Sequence, residues 1–158
     1  MCGGCGVARQ DWAGPILSSS HAKPLVARLL SGVATGLSVR ATGVGWTVTQ
    51  PGRPVTVHTS GLALLDQVSA WLVSRGVSAS AVTSALETAP DHRAVHVTRE
   101  MFPAARTESL EGGAQAVPST QLVPTLLVAA LGIRMDPGGV EQRLVLQDAE
   151  ESWTLRVD

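Results

Sequence analysis

The chain has 158 residues and a mass of 16.4 kDa, the size of one ordinary domain or two small lobes, and it needs no disulfide to build a core. Its 44% hydrophobic and 16% charged residues, with a mean hydropathy of +0.19, exclude a wholly disordered protein. No apolar run approaches the roughly 18 residues of a membrane span, and the N-terminus lacks the basic flank and apolar stretch of a secretory signal, so the expected compartment is the cytoplasm, with no membrane partner.

The formal charge of −1 divides unevenly about Gly76. Residues 1–76 carry six basic side chains against Asp11 and Asp66, a net +4, and residues 77–158 carry six basic against eleven acidic, a net −5. Opposed halves can steer self-association or draw an acidic protein partner to the N-terminal half; scattered solvated arginines give the same numbers. A charge of +4 over 76 residues is well short of a nucleic-acid footprint, so nucleic acid is not an expected partner.

In chain order, residues 1–20 are rich in Gly, Ser and Cys and read as an irregular N-terminal arm. Pro24 opens a helical pattern through Leu25, Val26, Leu29, Leu30 and Val33 that Gly36 can close, since proline is tolerated in a first turn. Three alternating runs follow, Leu37-Val39-Ala41, Trp46-Val48 and Val55-Val57-Thr59, divided by Gly43 and by Pro51-Gly52-Arg53-Pro54. That pattern predicts an antiparallel meander. Ser60 is the expected N-cap of a helix over Leu62 to Ser74 that is apolar around much of its circumference.

A weaker helix is expected over Ser78 to Thr88 and a strand over Ala94 to Thr98. Residues 101–119 have a linker composition and place a lobe boundary between an α+β lobe at 21–100 and a smaller α+β lobe at 120–158. The second lobe is expected to run as a helix from Leu122 to Leu131, Gly132, a short extended run Ile133 to Met135, a Pro137-Gly138-Gly139 turn and a hairpin over Arg143 to Gln147 and Trp153 to Val157. The shared order of helix, glycine, arginine-bearing strand and hairpin suggests either a worn duplication of a helix-plus-three-strand unit or a chance likeness of two α+β segments. The expected fold class is α+β, with helices packed on antiparallel meanders.

Cys2-Gly3-Gly4-Cys5 contains both cysteines of the chain. Two thiolates at this spacing can hold one Zn²⁺ at about 2.3 Å, while the glycines permit the tight knuckle that turns backbone N–H groups toward sulfur. A closed site takes four ligands, so the pair supplies half, and the candidates for the rest are His21, close in sequence, and His92 and His96, spaced H-x₃-H. His58, alternating with Val55 and Val57, reads as a solvent-facing strand residue. The same cysteines are also compatible with a redox dithiol, although no strand and helix N-terminus flank them as in thioredoxin-like sites.

Two resemblances accompany these readings. Met1-Cys2-Gly3, with Gly6, resembles the opening of class II glutamine amidotransferases, which would imply a nucleophilic Cys2; the likeness stops at Gly6. The order helix, three strands, helix over residues 24–75 resembles the double-stranded-RNA-binding domain, a family that reaches phosphates through a basic cluster at the start of its last helix. Here that helix begins Ser60-Gly61-Leu62-Ala63-Leu64-Leu65-Asp66, so the element order carries no expectation of RNA binding. The functional expectation is a small zinc-binding adaptor or protein-interaction protein, with a thiol–disulfide redox protein as the alternative.

Overall fold

The computed structural model describes residues 13–87, 122–136, 142–147 and 152–157. A first helical turn, α1 (Gly14–Leu17), leads into α2 (Ala22–Val33). Three strands follow, β1 (Ser38–Ala41), β2 (Trp46–Thr49) and β3 (Thr56–His58), and then helices α3 (Gly61–Ser74) and α4 (Ala79–Glu87). Beyond 121 come α5 (Leu122–Met135) and a hairpin of β4 (Gln142–Gln147) and β5 (Ser152–Val157). The fold class is α+β, with one three-stranded antiparallel sheet in the order β1-β2-β3 and a separate two-stranded sheet, β4-β5.

Register divides the meander into two faces. Val39 opposes Val48, which opposes Thr56, and Trp46 opposes His58, on the side that meets the helices. Arg40 opposes Thr47, which opposes Val57, on the other side. The helical side buries Val39, Trp46 and Val48 completely or nearly so. The indole of Trp46 has a polar group that must be satisfied when buried, and its Nε1 donates to the Lys23 carbonyl at 3.3 Å in the first turn of α2. Lys23 in turn donates from Nζ to the Gly43 carbonyl at 2.9 Å, so the same helix end holds the β1–β2 turn.

The turns follow from local chemistry. Between β2 and β3, Arg53 N–H donates to the Gln50 carbonyl at 3.1 Å, with Pro51 second and Gly52 third at φ +74°, the residue order of a type II turn. Gly45 meets a different constraint: a Cβ there would collide with the His58 carbonyl oxygen and lie 2.9 Å from Thr59 Cα. At the outer edge of β1, the Ser31 hydroxyl accepts from Val39 N–H at 2.9 Å and donates to the Val39 carbonyl at 3.1 Å. A side chain of α2 thereby closes the backbone groups that an edge strand leaves open.

One apolar cluster joins all five helices to the sheet: Ile16 and Leu17 of α1, Leu29 and Leu30 of α2, Leu64 and Val68 of α3, Val82 and Leu86 of α4, and Leu126, Leu127 and Leu131 of α5. Several expectations change here. Residues 13–17, expected within the irregular arm, are a helical turn whose Ala13, Ile16 and Leu17 are buried. Ile133 to Met135, expected as a short extended run after Gly132, are the last turn of α5, because the helix continues through the glycine; the likeness to Gly36–Arg40 does not hold at that point. Helix α5, expected to open a separate lobe over 120–158, packs on α2, α3 and α4, so the described chain on both sides of residues 101–119 shares one core. Helix α3, apolar around much of its circumference, buries a stripe that includes Leu64, Leu65, Val68 and Leu72 and leaves Val73 exposed. The expected linker at 101–119 and strand at 94–98 lie outside the described residues.

The close approach at Gly45 generates a test. Gly45→Ala should destabilise the protein by about 1–3 kcal/mol, because backbone rather than a flexible side chain must move. Gly43→Ala, where a Cβ has nothing within 4 Å, should be nearly neutral, and chemical denaturation of the two variants measures the contrast.

Candidate functional site

Of the residues singled out for metal chemistry, Cys2, Cys5, His92 and His96 lie outside the described residues. His21 is described. It stands at the N-cap position of α2, exposed, and makes no side-chain capping bond. Among the described residues no three His, Cys, Asp or Glu side chains come together as a group able to hold a metal.

The polar cluster that the described structure does assemble links β3 to α3. Thr56 Oγ1 donates to Gln67 Oε1 at 2.8 Å, and His58 Nε2 also hydrogen-bonds Gln67 Oε1. An amide oxygen only accepts, so His58 Nε2 is the donor in this contact. His58 is therefore half-buried on the helical face, not solvent-facing as the alternation with Val55 and Val57 suggested. The reason lies beneath it: Gln67 is the α3 residue under this end of β3, so the polar alternates turn inward and the valines outward.

A second polar link joins α5 to α3. Arg134 Nε donates to Asp66 Oδ1 at 2.7 Å, with the arginine side chain 7% exposed and the carboxylate 63% exposed. Arg134 Nη1 also donates to the Ala130 carbonyl at 2.8 Å, which satisfies the last turn of its own helix. At the far end of α3, Arg75 lies over the Trp71 ring, 4.4 Å from its centroid, and Trp71 Nε1 donates to the Thr35 carbonyl at 3.3 Å. These contacts brace the helices against one another and against the α2–β1 connection.

The remaining surface feature is the outer face of the meander. It carries Arg40, Thr47 and Val57 in one cross-strand row, with Val57 62% exposed and Val55, two residues earlier, 58% exposed, while the 72% exposed Val44 lies in the β1–β2 turn. β-branched side chains favour the strand conformation, and here they leave apolar area exposed among the described residues. Sequence alternation contained this signal, but it did not say which alternate faced the helices.

Searches against protein-family models, curated proteins and solved structures return no match. Among the described residues no helix is long and apolar enough to cross a membrane.

The β3–α3 link can be tested directly. Gln67→Ala should cost about 0.5–1.5 kcal/mol, chiefly through the half-buried His58, because the exposed Thr56 hydroxyl can turn to the Val48 carbonyl. Hydrogen exchange should then speed up selectively over residues 56–58, with α2 unaffected.

Proposed function

We propose that the chain is a small cytoplasmic Zn²⁺-binding protein-interaction module, in which Cys2 and Cys5 hold the metal and the body presents a surface to a protein partner. The Cys2-Gly3-Gly4-Cys5 spacing carries this reading, because it offers two thiolates and a backbone permissive enough to wrap one ion. His21, His92 and His96 are the candidates to complete the coordination. Two features of the body support an interaction role: its core is closed by apolar packing from Ala13 onward, and the outer face of the meander leaves Val55 and Val57 exposed.

Zinc analysis of protein purified without an affinity tag tests the proposal, with a Cys2→Ser, Cys5→Ser double variant as control. The wild type should carry zinc and the double variant should lose it. Because the body has its own core, the melting midpoint of the variant should move by less than about 3 °C, roughly what 1 kcal/mol gives in a chain of this size. A zinc-free wild type whose two thiols oxidise reversibly at a defined potential would replace this reading with the redox one.

A further inference from the structure

We draw no further inference here: the strongest candidate, the outer face of the meander around the exposed Val57, carries nothing further because nothing in the structure shows what covers it.

Discussion

Among the described residues, helices cover the meander on one side only, and most of the described body is arranged by that constraint. Alternate residues of a strand must point opposite ways, so each buried position on β1 and β2 commits its neighbour to the outer face. Val39, Trp46 and Val48 go in, and Arg40, Thr47 and Thr49 go out. A slip of one residue would send Trp46 to solvent and put Thr47 in its place. The Trp46 indole also meets the Lys23 carbonyl, so the same residue that fixes the register of β2 fixes the position of α2 over the sheet.

The helices close the core by packing, and their polar contacts orient them. Leu126, Leu127 and Leu131 of α5 are fully buried, and each such side chain contributes about 1.5–3 kcal/mol on removal from water. The Arg134–Asp66 pair, with one partner 63% exposed, contributes at most about 1 kcal/mol. Apolar burial therefore holds α5 in place, while the ion pair sets its rotation against α3, its guanidinium steadied by the bond to the Ala130 carbonyl of its own helix. On the other side of α3, Gln67 orients β3 by accepting from both Thr56 and His58. Asp66 and Gln67 are adjacent, so two successive residues of one helix position α5 and the sheet.

Much of this was legible in the sequence, for physical reasons that also explain the gaps. Helices α2 to α5, the three strands and the hairpin were marked by periodicity and by Pro and Gly, because those residues act on local backbone freedom, while the α1 turn, within the Gly- and Ser-rich residues 1–20, was not. Alternation could not orient β3: Val55, Val57 and His58 read as apolar-in and polar-out until Gln67 is seen beneath the strand. The end of α5 was misplaced because Gly132 is a helix breaker only on average, and burial of the residues before it overrides the local preference. The place of α5 in the common core was invisible because nothing in residues 122–135 names the surface against which their apolar positions pack. The candidate metal ligands were legible as residue types and spacings, whereas their meeting depends on a tertiary arrangement that spacing does not encode.

Reach sets how the proposed metal at Cys2 and Cys5 would relate to the body. Eight residues lead from Cys5 to Ala13, at most about 29 Å of extended chain, and Ala13 is already in the core. The α1 turn that follows packs on α2 and α3, so the tether is anchored beside the helix whose N-cap position is His21. His92 lies five residues beyond the end of α4, within about 18 Å of it by the same measure, and α4 also packs on α2. All of the candidate ligands are thus tethered to elements that share α2 as a neighbour. Completing the coordination within one chain then asks only that tethers converge beside a helix already held by Trp46 and by the core. It asks for no change in the packing that the apolar residues have fixed, so the proposed metal binding would leave the folding of the body independent of the ion.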